Sequence, residues 1–323
     1  MRSRLFVIVV TAVIVLVAAV VWMNSKGGGG LAKVPGLPQG RLAPALVQVE
    51  NGPESHPQAG LQKADVAYEY LTEGGITRFT LVYNQPSGGD RVEPVRSARL
   101  VTLKIQHLYQ GVIFYSGASD RVQGLMWDQH LPALSESADG GRYFSRDTSR
   151  PAPHNLVTTG DQLHAGLLKL NQRVTYALPA AAEPAGQGDP AARISFQQTF
   201  IHSVSYAYSA SDKTYAYTGE FGPLVDADSA GKPVAITNVV LVRVAHHGAG
   251  YTEDVVGSEG IDFDLQGSLP AEIYTRGRHF KGTFDATGTS GLQLASSDGK
   301  AFHLPAGLTW VHLVDPETQV NAT

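Results

Sequence analysis

Apolar and polar positions alternate in three different ways along this chain. Leu5 to Met23 is an apolar run of 19 residues broken only by Thr11, with Arg2 and Arg4 ahead of it. Such a run crosses a bilayer core of about 30 Å, and the leading positive charges predict an N-terminus inside and everything else outside. The expectation is a transmembrane anchor over 1–23, which makes the membrane the first expected partner. A cleaved signal peptide is the alternative, although Val21-Trp22-Met23-Asn24 is a poor cleavage site. Gly27 to Gly30, Pro35 and Pro38 then predict a flexible tether over 24–41.

Over 42–179 strand and helix signals take turns. Ala45 to Glu50, Val66 to Leu71, Phe79 to Asn84 and Val112 to Ser116 read as strands, with turn chemistry at Asn51-Gly52-Pro53 and Gly74-Gly75. Behind Ser97 the period becomes helical, with Leu100, Leu103 and His107 on one stripe and Val101, Ile105 and Leu108 beside it, so Ser97 is the expected N-cap. Leu125 to Leu134 and Leu163 to Leu170 are further helical candidates. The order predicts a mixed α/β layer domain.

Residues 180–192 are rich in Ala, Pro and Gly and predict a linker. Beyond them, over 193–316, the alternation is that of strands: Val204, Tyr206 and Tyr208 alternate with small residues, Asn238 to Ala245 reads as a long central strand, and Leu308 to Val314 closes the set. A mostly antiparallel β domain, a sandwich or half-open barrel, is expected, followed by a tail over 317–323. The fold class is therefore α+β. The tyrosines at 206, 208, 215 and 217 are expected as cross-strand pairs.

Composition narrows the chemistry. With 323 residues, 43% of them hydrophobic, the chain can bury proper cores. It has no cysteine, which removes disulfides, thiolate metal sites and lipidated cysteine. A formal net charge of −4 gives no basic surface for nucleic acid. No Gly-x-Ser-x-Gly elbow, His-Glu-x-x-His or Walker lysine spacing occurs, so neither a cofactor nor a metal is expected.

Candidate chemistry gathers in the first half. Arg96 and Arg99 fall at the start of a helix, where unsatisfied N–H groups already carry positive potential, and an anion or facing carboxylate would relieve the conflict. The Gly74-Gly75 turn is expected to bring Glu69 and Glu73 near Arg78. A second cluster holds Arg146, Asp147, His154 and Asn155, with Arg146 able to grip a carboxylate or phosphate and His154 able to move a proton. The expected ligand-binding set is thus Glu69, Glu73, Arg78, Arg96, Ser97, Arg99, Arg146, Asp147, His154 and Asn155, for an anionic envelope glycan or lipid-linked sugar. An enzyme modifying glycans or transferring phosphate with His154 as acid or base, and a scaffold for envelope proteins, are the alternatives. A buried ion-pair network that only fixes the fold would leave the same sequence trace.

Tyr68-Glu69-Tyr70-Leu71, Glu73-Gly74-Gly75-Ile76-Thr77-Arg78, Pro94-Val95-Arg96-Ser97-Ala98-Arg99, Arg146-Asp147 and Ala152-Pro153-His154-Asn155-Leu156 resemble the YerB-like family of bacterial envelope proteins, many of them lipoproteins. The resemblance runs over roughly 42 to 315 and implies an N-terminal α/β part and a C-terminal β part. It implies no reaction. Phe284 and Asp285 stand where that family has Trp and a basic residue.

Overall fold

The computed structural model describes residues 39–178, 182–184 and 186–323. The expected anchor and nearly all of the tether fall outside these residues. Among the described residues no helix is long and apolar enough to cross a membrane.

Three long strands, Ala45–Asn51, Val66–Leu71 and Thr77–Tyr83, are buried along almost their whole length. Near-continuous apolar sequence is what a strand covered on both faces requires. They lie in the middle of an eleven-stranded mixed sheet. Its order runs Asp189–Pro190, Arg278–Asp285, Ser268–Thr275, Asn238–Arg243, Thr309–Val314, Val66–Leu71, Thr77–Tyr83, Ala45–Asn51, Val112–Tyr115, Ala133–Ser135, with Leu294–Ser296 added beside Arg278–Asp285. Most pairings are antiparallel. Thr309–Val314 runs parallel to both its neighbours, with His312 opposite Glu69, and Ala45–Asn51 runs parallel to Val112–Tyr115.

Strands from both halves of the expected division lie in this one sheet. Asn238–Arg243 and Thr309–Val314, from the second half of the chain, extend the sheet begun by the first half. The segment expected as a linker contains the edge strand Asp189–Pro190, bonded to Arg278 and His279. The expected tail ends in the strand Val320–Ala322, because Val320 and Ala322 have an apolar face to bury.

Strand alternation then sends side chains to opposite faces. One face, with Val47, Phe79, Leu81, Leu241 and Trp310, packs on a six-stranded sheet built from Arg193–Gln197, Ser203–Ser209, Thr214–Gly219 and three short partners. In that sheet Tyr206 pairs with Tyr217 and Tyr208 with Tyr215, the expected cross-strand pairs. The other face, with Leu46, Tyr68, Tyr70, Val82 and Val311, is covered by Val101, Ile105 and Leu108 of the helix Leu100–Tyr109.

Helix ends differ from expectation by a few residues. The N-cap position belongs to Arg99, and Thr102 Oγ1 accepts the Arg99 N–H at 3.0 Å; Ser97 lies before it in extended chain. The region read as helix over 125–134 is the end of Asp120–Asp128, capped by Ser119, and then the strand Ala133–Ser135, the chain turning between them at His130 with positive φ. Gly160–Leu170 forms as a helix with Thr159 as its cap.

Candidate functional site

The C-terminal ends of Ala45–Asn51, Val112–Tyr115 and Ala133–Ser135 point the same way, and segments leaving other elements close over that edge. Residues 94–98 are laced to it by backbone bonds: Glu50 N to Pro94 O at 3.1 Å, Arg96 N to Gln48 O at 2.9 Å, Ser116 N to Arg96 O at 3.0 Å and Ala98 N to Gly117 O at 2.9 Å. Arg96 is held there by its own backbone. Crevices at the carboxyl ends of parallel strands are common binding positions in α/β sheets.

Glu50 is the centre of this edge. Its Oε2 lies 2.8 Å from His154 Nδ1 and its Oε1 3.3 Å from Arg96 Nε, an ion pair without hydrogen-bond alignment. The carboxylate is buried, whereas the His154 and Arg96 side chains are 20% and 22% exposed. His154 Nε2 has no hydrogen-bond partner among the described residues.

Beside it stand two more guanidinium groups. Arg99 donates through Nε and Nη2 to both oxygens of Glu73 at 2.8 to 3.0 Å, and its Nη1 lies 3.3 Å from Glu253 Oε1. Burial pulls the Arg99 pKa down, but the bonds and charge of Glu73, with Glu253 behind, outweigh it and the net shift is upward. Arg78 donates to Ser97 O at 2.9 Å and leaves its buried Nε unpaired. Burial, with the charge of Arg99 second, lowers Arg78 to about 10; Glu73 opposes this and Arg96 adds to it. Three guanidinium groups therefore feel one another at this edge.

Arg146, Asp147 and Asn155 shape the loop that carries His154. Arg146 grips Glu136 with Nε at 2.7 Å and Nη2 at 2.5 Å, and its Nη1 donates to Asn155 Oδ1 at 2.7 Å. Asn155 Nδ2 closes the loop on the carbonyls of Asp147 and Arg150. The Asp147 carboxylate faces Arg91 at 3.6 Å. Hydrogen bonds from Ser149 hold that carboxylate below its usual pKa.

Glu69 is elsewhere. In the hairpin Tyr70 is the register partner of Arg78, so Glu69 projects from the opposite face, between the two sheets. There it accepts from Trp310 Nε1 at 2.8 Å, Thr77 Oγ1 at 2.8 Å and Tyr217 Oη at 3.2 Å, with His202 Nε2 at 3.3 Å and His312 Nδ1 at 3.6 Å. Burial alone would raise its pKa, but His312, His202 and the Trp310 donor bring it down to about 2. Burial takes His312 down to about 4, so that imidazole is neutral near pH 7, and its Nε2 meets Tyr206 Oη at 2.6 Å.

Of the ten expected residues, Glu73, Arg78, Arg96, Ser97, Arg99 and His154 come together, Arg146, Asp147 and Asn155 support the neighbouring loop, and Glu69 belongs to a second, sealed centre. Sequence reasoning missed Glu50, Glu253, His202, Trp310 and His312. Glu50 and His312 each interrupt an apolar strand with an ionisable side chain, a signal of buried partners that could have found them. Glu253 gives no such signal. Among the described residues no group of three or more His, Asp or Glu is placed to hold a metal ion.

The fold is shared with a known protein. Residues 34–173 match the N-terminal domain, and residues 193–311 the C-terminal domain, of the protein family of unknown function DUF3048, and the chain belongs to that family. It is similar to a Bacillus subtilis (strain 168) protein named "Putative lipoprotein YerB", 28% identical over 291 residues, which are 84% of this chain and 81% of the relative. The crystal structure of the YerB protein from Bacillus subtilis superposes with a TM-score of 0.71 at 24% identity, covering 90% of this chain and 99% of that one, a likeness of fold.

Proposed function

We propose that this protein is an envelope-associated binding protein that receives a phosphate or carboxylate group, as carried by an envelope glycan or a lipid-linked sugar, at the Glu50 edge. The observation that carries the reading is that Arg96 and His154, each about a fifth exposed, converge on one buried carboxylate with Arg78 and Arg99 beside them. A guanidinium fixed by its backbone and by a carboxylate behind it is pre-oriented for an anion in front. The apolar run Leu5 to Met23 and the relative's name support the envelope address.

Calorimetric titration of the full chain with inorganic phosphate and with glucose 1-phosphate tests it. Saturable binding is expected, weakened about tenfold or more by Arg96→Gln, the scale of one charge-assisted hydrogen bond. If the unaltered chain binds neither probe, or if Arg96→Gln binds as well, the reading is wrong.

One contact favours a second reading. His154 Nδ1 held by Glu50 at 2.8 Å, with Nε2 unengaged by protein, is the arrangement of an oriented general base. Turnover of envelope glycan by the full chain, abolished by His154→Ala and reduced by Glu50→Gln, would establish it. Glycan left intact by the unaltered chain would dismiss it.

A further inference from the structure

Large apolar side chains stand out at the same end of the molecule as the Glu50 edge. Phe200 is 78% exposed, Ile201 41%, Val255 fully exposed and Val256 83%. They occupy two loop tips, and both tips are held in shape. At the first, Thr199 Oγ1 accepts the N–H of Ile201 at 3.3 Å and of His202 at 3.1 Å and donates to Gly75 O. The Phe200 ring lies over Gly75, where a Cβ would come within 2.5 Å of it. At the second, Asp254 Oδ1 accepts the N–H of Val256 at 3.1 Å and of Ser258 at 2.9 Å.

The two tips are joined through the arginine cluster. Glu73, two residues before Gly75, and Glu253, two residues before Val255, hold the same guanidinium, that of Arg99. The strand Glu259–Phe263, which follows the second tip, lies against the Glu73–Gly75 turn. Apolar side chains on turns fixed in this way are held out into solvent.

We propose that these two tips dock the protein on a lipid bilayer, Phe200, Ile201, Val255 and Val256 entering the headgroup layer and presenting the Glu50 edge to lipid headgroups. The bilayer is favoured over a protein partner by shape. The apolar groups are on the turns of two different hairpins, which a fluid interface accommodates. The chain carries net −4 and Asp254 lies beside a tip, so attachment is apolar in origin and survives added salt, unlike adsorption by basic residues. Headgroup preference, though not docking itself, rests on the anion reading above.

The absence of cysteine makes the test direct, because an introduced thiol is the only one. The full chain is made as Phe200→Cys, Val255→Cys and, as control in the exposed loop at the opposite end of Thr77–Tyr83, Ser87→Cys, each carrying an environment-sensitive fluorophore. Each is mixed with phosphatidylcholine vesicles, with or without phosphatidylglycerol, containing spin-labelled lipid as quencher. Quenching at 200 and 255 several-fold above that at 87, unchanged by salt, is expected. Adding Ile201→Ser should reduce quenching at 255 several-fold. Equal quenching at all three positions, or shielding of 200 and 255 only by an added soluble protein, overturns the proposal. Arg96→Gln separates the two claims: loss of phosphate binding with quenching retained supports docking independently of the anion site.

Discussion

Two carboxylates in this molecule share a chemistry and differ in what surrounds them. Glu69 lies between the sheets, fully buried, with two histidines, a tryptophan, a tyrosine and a threonine turned toward it. Glu50 lies two strands away, on Ala45–Asn51 beyond Thr77–Tyr83, buried itself but capped by His154 and Arg96, which reach solvent. In the first case donors from both sheets converge on the anion, which pins their packing. In the second the partners are partly open to solvent, and a ligand can compete for them. Histidine beside glutamate does not by itself mark a site; its access to water does.

Removing the sealed carboxylate should have the largest effect. Glu69→Ala leaves Trp310 Nε1, Thr77 Oγ1 and Tyr217 Oη facing a void, and a cost of about 3–5 kcal/mol is expected for breaking such a buried polar centre. Urea unfolding measures it. A loss below about 1 kcal/mol would mean that the centre is not sealed as described.

The same centre sets the acid response. His312 is held at about 4, below its ordinary 6.5, so the unfolded chain takes up a proton that the folded chain refuses. The stability linked to this is fully present above pH 6.5 and lost as pH falls toward 4, by roughly 2–3 kcal/mol. Glu69, held at about 2 against an ordinary 4.5, adds a further loss below pH 4.5. Folding free energy against pH should therefore decline below 6.5, and His312→Gln should flatten the decline between 6.5 and 4. An unchanged slope would place the proton uptake elsewhere, His56 being the next candidate because burial takes it to about 4 as well.

At the open carboxylate the expectation reverses. Arg96→Gln and His154→Ala remove partly exposed partners, so each should cost no more than about 1 kcal/mol, a shift in melting temperature of a few degrees. Phosphate binding should fall while the fold stays. If both variants unfold as readily as Glu69→Ala, the two centres are alike and the Glu50 edge is only a structural network.

Much of this was legible and part was not, for physical reasons. The apolar runs at 45–50, 66–71, 238–245 and 308–314 located four strands of the large sheet to within two residues. Arginines at a helix start required carboxylates, and Arg99 has Glu73. What the sequence could not show was parity. Whether Glu69 meets Arg78 depends on hairpin register, and the turn through Gly74 and Gly75 pairs Arg78 with Tyr70 instead. The distant partners were equally hidden: Trp310 reaches Glu69 across 241 positions through a parallel pairing that leaves no local trace. The composition shift at 180–192 is real, yet it marks no break in the sheet.

The smallest effect gives the sharpest check on the backbone of the open edge. Were Ser97 the N-cap, Ser97→Ala would cost about 1 kcal/mol. Its hydroxyl makes no hydrogen bond among the described residues, while its carbonyl, which alanine keeps, accepts from Arg78. The expected change in urea unfolding is therefore within about 0.5 kcal/mol. Thr102→Val supplies the reference, because its hydroxyl accepts from Arg99 N and donates to Gln48 Oε1 at 2.9 Å in the buried first turn, and its loss should cost about 1–3 kcal/mol. A larger cost at 97 than at 102 would move the helix start back by two residues. Arg99 would then lie inside the first turn and not before it, and the guanidinium cluster beside Glu50 would have to be rebuilt.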